Sequence, residues 1–312
     1  MTAFAFVFPG QGSQAVGMLD AWGDHPAVQD ALAEASGALG EDLGALIATG
    51  PKDQLDLTTN TQPVMLVAAM ACYRAWRAEG GAAPMAVAGH SLGEYSALVA
   101  AEALSLGDAV RLVRFRAQAM QEAVPVGVGA MAAILGLAPE AVREGCARAA
   151  ADSGEVVEAV NFNDPKQTVI AGSKAGVDAG CAVLKAMGAK RALLLSVSAP
   201  FHSSLMKPAA ERLRERLASV ALAAPKIAVL NNIDVAAPSD PLAIRDALYR
   251  QAFGAVRWVE VVQGLRARGA THIVECGPGK VLAGMVKRVD DTAISAALFD
   301  PASLAEVKGM LA

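Results

Sequence analysis

The chain has 312 residues, of which 54% are hydrophobic and 19% charged, a composition that fills a large core and excludes a disordered protein. A formal net charge of −4 leaves no global positive field, which argues against nucleic acid as a partner, a local basic patch aside. Phe4 to Pro9 is an apolar run too short to span a membrane and lacks a basic leader before it, so no membrane attachment and a cytoplasmic location are expected.

Thr2 to Phe8 reads as a buried first strand that stops at Pro9-Gly10. Helical patterns follow from Asp24 to Leu39 and from Pro63 to Ala78, with Pro63 near the start, where a missing N–H is harmless. Met85 to Ala88 is a strand, a helix runs on toward Ala101, and another spans Asp108 to Ala123 before Pro125 and Gly127. This alternation predicts a mostly parallel sheet with helices on both faces. From 126 to 197 the order becomes β-α-β-β-α-β, with strands at 130–135, 156–160, 167–171 and 192–197 and helices at 139–151 and 175–187, the ferredoxin-like pattern. Residues 126–197 therefore read as a small domain inserted between 1–125 and 198–312 of a large α/β domain, with a cleft where the two meet. Beyond Pro200 the expected elements are helices at 203–217, 241–249 and 258–268 and strands at 227–231, 272–276 and 293–298, with a turn at 277–279 and a short helix before the last strand.

Gly89-His90-Ser91-Leu92-Gly93 follows a strand and precedes a helix, which is the context of a G-x-S-x-G nucleophile elbow. On such a turn the hydroxyl stands above the sheet, and the next backbone N–H and the helix N-terminus can stabilise an oxyanion. An ordinary glycine-rich turn is the bland alternative. A serine needs a base, and the chain offers four histidines. His25 lies in a polar segment and His272 inside a strand. His90 precedes the serine, so its side chain should point away and at most brace the turn. His202, where the chain returns to the large domain, is the candidate base. No histidine is followed by glycine, so the HGGG oxyanion loop of lipases and esterases is absent. Asp152, Asp164 and Asp178 all fall in the small domain, and none is clearly placed to orient His202. Cys72, Cys146, Cys181 and Cys276 are scattered, without C-x-x-C pairs or ligand spacing, so no metal site is expected.

Gly10-Gln11-Gly12-Ser13-Gln14-Ala15 fits a dinucleotide-binding fingerprint with Asp30 downstream, but Asp30 lies in a helical pattern and not at the end of a second strand. The loop does offer backbone N–H groups beside the elbow. Arg111, Arg114 and Arg116 share one helix; by pattern alone Arg116 reads as a solvated guanidinium, while a buried one would act as a fork for a carboxylate.

Phe8-Pro9-Gly10-Gln11-Gly12-Ser13-Gln14, Gly89-His90-Ser91-Leu92-Gly93-Glu94-Tyr95, Met120-Gln121-Glu122-Ala123-Val124-Pro125, Gly129 to Ile134, Ala199-Pro200-Phe201-His202 and Glu275-Cys276-Gly277-Pro278-Gly279-Lys280 together resemble the malonyl-CoA:acyl carrier protein transacylases of bacterial fatty acid synthesis. The resemblance covers nearly the whole chain and implies an α/β-hydrolase-like core with an inserted small ferredoxin-like α+β domain. It implies Ser91 as nucleophile, His202 as base and then acid, and the Gln251 carbonyl in place of an orienting carboxylate. The Gln11 and Leu92 backbone N–H groups would form the oxyanion hole. Arg116 would bind the malonyl carboxylate, with Phe201 and His90 beside the substrate and Phe201 disfavouring a methyl branch. Malonyl-CoA and the phosphopantetheine arm of an acyl carrier protein are the implied substrates, with no permanently bound cofactor. Oligomeric state is left open, a monomer being compatible. Gly254-Ala255 departs from the stiffer Asn-Pro pair of the family and implies a looser backbone near Gln251. Asn161 and Asn163 resemble residues at the cleft side of the small domain. Lys185, Lys190 and Arg191 are candidate docking cations for an acidic carrier, ordinary solvated charges being the plainer reading. A trans-acting polyketide acyltransferase, a serine esterase or thioesterase and a catalytically idle scaffold are the competing readings.

Overall fold

The structure, a computed structural model, describes residues 2–125, 127–197 and 199–312; the expected domain boundaries at Val126 and Ser198 lie outside the described residues. The strands among the described residues are β1 (Phe4–Phe8), β2 (Ala86–Gly89), β3 (Gly129–Leu135), β4 (Val157–Asp164), β5 (Gln167–Ser173), β6 (Arg191–Leu194), β7 (Ala228–Leu230), β8 (His272–Cys276) and β9 (Ile294–Leu298). They form a five-stranded sheet in the order β7-β2-β1-β8-β9, parallel throughout, and a four-stranded antiparallel sheet in the order β4-β5-β3-β6. The second sheet with its two helices is ferredoxin-like in connection and strand order.

Strand β1 is buried on both faces, as a central strand of a parallel sheet must be. Phe4, Phe6 and Phe8 alternate onto one face, where Phe6 meets Tyr73 and Trp76 of the Thr58–Ala78 helix edge-on at 6.0 and 5.6 Å. Ala5 and Val7 turn to the other face, packing in the cluster that holds Trp258, Val261 and Val262. The small sheet divides likewise. Ala132 and Ile134 face the Pro139–Ser153 and Lys174–Ala186 helices, whereas Met131, Val169 and Ala171 join the large core. Two backbone bonds join the sheets' surroundings, Phe162 N–H to Val256 O at 2.9 Å and Val256 N–H to Val160 O at 2.8 Å. The Asp164 carboxylate, 5% exposed, pairs with Arg288 Nε of the Val281–Val289 helix at 2.6 Å.

Several elements differ from expectation. The Thr58–Ala78 helix begins well before Pro63, which sits inside it; the missing N–H is tolerated because the segment from Thr61 to Tyr73 is buried, so packing outweighs local propensity. Short helices at Leu43–Thr49 and Lys52–Leu55 and a final Pro301–Leu311 helix, capped by Asp300, were not anticipated. The strand expected at 192–197 ends at Leu194, and Leu195 and Val197 leave the sheet to line a cavity. Among the described residues, no helix is long and apolar enough to cross a membrane.

Candidate active site

The elbow begins where β2 ends. Ser91 has φ 51°, a conformation that favours glycine, and the surrounding structure holds it there. Asn232, just past β7, clamps the turn: its Oδ1 accepts the Ser91 N–H at 2.7 Å and its Nδ2 donates to Gly89 O at 2.7 Å. A Cβ on Gly89 would lie 1.9 Å from the Gly93 carbonyl carbon, and one on Gly93 would lie 2.0 Å from Phe8 O, so both flanking glycines are steric requirements. The Gly93–Ala100 helix starts directly after, aiming its N-terminal dipole at the serine.

His202 approaches from the other side. Its Nε2 lies 2.7 Å from Ser91 Oγ and its Nδ1 lies 2.8 Å from the carbonyl oxygen of Gln251. Gln251 is the last residue of the Pro241–Gln251 helix, so its carbonyl has no helical partner and is free to accept. A carbonyl can only accept, which puts the proton on Nδ1 and leaves Nε2 to accept from the serine hydroxyl. Burial, reinforced by the Arg116 charge, pushes the imidazole down to about 3, so it is neutral at physiological pH and Nε2 keeps a free lone pair toward the serine. Among the described residues no carboxylate hydrogen-bonds to His202; Asp164 instead pairs with Arg288. The expected looseness near Gln251 is not found. A Cβ on Gly254 would lie 2.4 Å from Ile233 Cδ1 and 2.8 Å from Arg250 O, so the glycine permits close packing, and Val256 beyond it is bridged to β4.

Arg116 corrects the reading from pattern: it is 2% exposed, not solvated. The Leu106–Ala123 helix turns it inward, where Nη1 donates to Gln62 Oε1 at 2.8 Å and Nη2 to Ser91 Oγ and Gln251 Oε1, each at 3.3 Å. The guanidinium lies 5.6 Å from the Tyr95 ring centroid, and its buried Nε has no partner among the described residues. Burial lowers its pKa, opposed by Tyr95 and Glu94, and a guanidinium remains charged. Glu94, also buried, accepts from Asn232 N–H and Gln251 Nε2, and burial pushes its carboxyl up to about 7.

His90 points to the small sheet, its Nε2 2.8 Å from Asn163 Oδ1 and its ring 5.3 Å from that of Trp258; burial lowers its pKa. It also lines the cavity. That cavity, about 190 Å³, is bounded by Gln11, His90, Ser91, Arg116, Asn161, Phe201 and His202, with Met131, Val169, Leu195 and Val197 as apolar walls. Gln11 Nε2 donates to Thr58 Oγ1 at 3.3 Å. Among the described residues, neither the Gln11 nor the Leu92 backbone N–H donates a hydrogen bond.

Other candidates lie elsewhere. His25 faces Glu79 at 3.5 Å, and Asp30 sits in the Pro26–Leu39 helix away from the cavity. Lys190 and Arg191 adjoin Leu135, at the opposite end of β3 from the cavity-lining Met131, and Lys185 ends the Lys174–Ala186 helix. Gln62, Glu94 and Asn232 were missed as site residues; Glu94 lay in the quoted serine motif, but only burial beside Gln251 gives it a role. Among the described residues, no group of three or more His, Cys, Asp or Glu could hold a metal.

Comparison with known proteins matches residues 5–306 to the acyl transferase domain. The chain is 53% identical over 306 residues to the malonyl CoA-acyl carrier protein transacylase of Escherichia coli strain K12, covering 98% of both chains. It is 65% identical to the crystal structure of the acyl-carrier-protein S-malonyltransferase of Burkholderia pseudomallei 1710b, with a TM-score of 0.97 and coverage of 99% of this chain and 100% of that one. It is also 47% identical, with a TM-score of 0.97 and coverage of 99% and 100%, to a malonyl-transacylase solved with its type II PKS acyl-carrier protein. A nucleophile elbow, an imidazole and a buried guanidinium on one cavity thus occur in a chain that belongs to the malonyl CoA-acyl carrier protein transacylases of the acyltransferase family.

Proposed function

We propose that this protein transfers the malonyl group from malonyl-CoA to the phosphopantetheine thiol of an acyl carrier protein through a malonyl-Ser91 intermediate. The observation that carries the reading is the buried Arg116 guanidinium 3.3 Å from a serine hydroxyl that is itself 2.7 Å from an imidazole. Ser91 Oγ attacks the thioester carbonyl carbon while His202 Nε2 takes its proton. The oxyanion that forms is stabilised by the Gln11 and Leu92 N–H groups and the helix N-terminus. The C–S bond breaks, and His202 returns the proton to the departing CoA thiolate. In the second half the carrier thiol gives its proton to His202 and attacks the acyl-serine; the C–O bond breaks and Ser91 Oγ recovers the proton. The Gln251 carbonyl, at a helix C-terminus, stabilises the transient imidazolium.

Arg116 selects the substrate. A charge-assisted bidentate pair with the free carboxylate contributes about 1.5–3 kcal/mol, which an acetyl group cannot match. Phe201 and His90 wall the acyl group, and the bulk of Phe201 disfavours a branched one. We further assign 1–125 and 198–312 to the large domain and 126–197 to the small one, and place the protein in the cytoplasm, without a resident cofactor. The likeness to a transacylase solved with a type II PKS carrier favours a polyketide carrier as a second reading. Parallel assays with fatty acid and polyketide carriers separate the two.

Intact-mass measurement after mixing with malonyl-CoA tests the reaction. A malonyl adduct that is absent in Ser91→Ala and discharged by holo-carrier is expected; rapid release of free malonate without carrier would overturn transfer in favour of hydrolysis.

A further inference from the structure

A carboxyl group that the proposed transfer leaves unused lies directly behind the serine. Glu94, in the first turn of the Gly93–Ala100 helix, is 2% exposed. Its Oε2 accepts from the Asn232 backbone N–H at 2.8 Å and from Gln251 Nε2 at 2.9 Å. Gln251 is where the site's parts converge. Its carbonyl accepts from His202 Nδ1 at 2.8 Å, its Nε2 also donates to Ser91 O at 3.0 Å, and its Oε1 accepts from Arg116 Nη2 at 3.3 Å.

These contacts define one orientation of the Gln251 amide. If the amide were reversed, its oxygen would face the Glu94 and Ser91 acceptors and its NH2 would face the guanidinium, leaving like against like in a buried site. Glu94 and the Ser91 carbonyl reward only the observed orientation, and Glu94 alone ties it to the Asn232 clamp on the elbow. We infer that Glu94 is a positioning residue for malonyl transfer: by orienting the Gln251 side chain it sets Arg116 in register with Ser91, beside the His202 that the Gln251 backbone carbonyl holds. The inference rests on the transfer reading above.

The surroundings of Glu94 fit this role. It borders a small cavity of about 10 Å³, otherwise lined mainly by Leu98, Val229, Ile244 and Ala247, so burial raises the carboxyl to about 7 against the opposing hydrogen bonds. The charged and titratable groups acting on it are Arg116 from the Leu106–Ala123 helix, Asp234 after β7 and Tyr95 on its own helix. Protonation near neutrality leaves Oε2 able to accept but weakens its pull on Gln251 and on Arg116.

The test is single-turnover acylation of Ser91 by malonyl-CoA and by acetyl-CoA, followed by intact mass, with the folded fraction of each variant measured by circular dichroism. Glu94→Ala is expected to lower the malonyl acylation rate per folded molecule by about tenfold or more, the loss of one charge-assisted hydrogen bond, and to narrow the preference over acetyl. Glu94→Gln keeps an acceptor oxygen, so it should recover most of the rate while losing the wild-type inflection near pH 7. A folded Glu94→Ala protein that acylates at the wild-type rate with unchanged malonyl preference would overturn the inference and leave the transfer reading standing. Failure of the wild type to form any Ser91 adduct would overturn both.

Discussion

Arg116 holds a full charge at 2% exposure, and the groups that accept from it compensate only in part: Gln62, Gln251 and Ser91 are all without formal charge. Such a guanidinium gains most from an incoming carboxylate. Arg116→Ala is expected to lower malonyl transfer by about ten- to hundredfold, as loss of a charge-assisted pair should, while acetyl transfer holds or rises. Parallel kcat/KM measurements with the two donors check this, and equal losses would remove the carboxylate role.

Titration at buried residues gives a second prediction. Burial raises the Glu275 carboxyl from 4.5 to about 7, opposed by N–H groups at the start of the Val281–Val289 helix. Between those values the folded state keeps a proton that the unfolded chain releases, so this stabilising contribution is complete below pH 4.5 and is lost as pH rises through 7. His202 runs the other way: its pKa falls from 6.5 to about 3, so stability declines as pH drops through that window. Melting temperatures at about pH 6 and about pH 8.5 should show a smaller alkaline decline in Glu275→Gln than in the wild type.

At the level of elements, the elbow is a strained turn held by a side chain distant in sequence. Asn232 supplies both an acceptor for Ser91 N–H and a donor to Gly89 O. Asn232→Ala leaves two buried backbone groups unpaired, so a loss of about 1–3 kcal/mol in denaturant unfolding is expected, together with slower acylation of Ser91. Asn232→Asp, which keeps the acceptor, should lose less of the acylation rate than Asn232→Ala. The Pro241–Gln251 helix makes the complementary contribution, because its last carbonyl has no helical partner and faces the imidazole.

In the whole molecule, the cavity exists because the small antiparallel sheet is held over the C-terminal edge of the large parallel one. The Val256 bridge and the Asp164 to Arg288 ion pair hold it there. Removing one partner of a pair with a nearly buried carboxylate is costly, so Asp164→Ala should lower unfolding stability by about 1–3 kcal/mol, measured in urea. Its effect on acylation should exceed that of Asp152→Ala, whose carboxylate lies on the exposed face of the Pro139–Ser153 helix.

Much of this was legible along the chain. The period-2 alternation of Phe4 to Phe8, the strand-to-helix change around Ser91 and the β-α-β-β-α-β run describe local backbone geometry, and local geometry is written in adjacent residues. The family motifs added the pairing of Ser91, His202 and Arg116. The contacts of Arg116 with Gln62 and Gln251, the grip of Asn232 on the elbow and the link from Glu94 through Gln251 were not legible, because each joins residues far apart in sequence whose burial is shared. Pro63 within a helix has the same cause. Sequence alone determined the order of the strands and nominated the reacting groups, whereas tertiary packing decided which polar side chains left water, and so which of them acquired the orientation and altered proton affinity that chemistry requires.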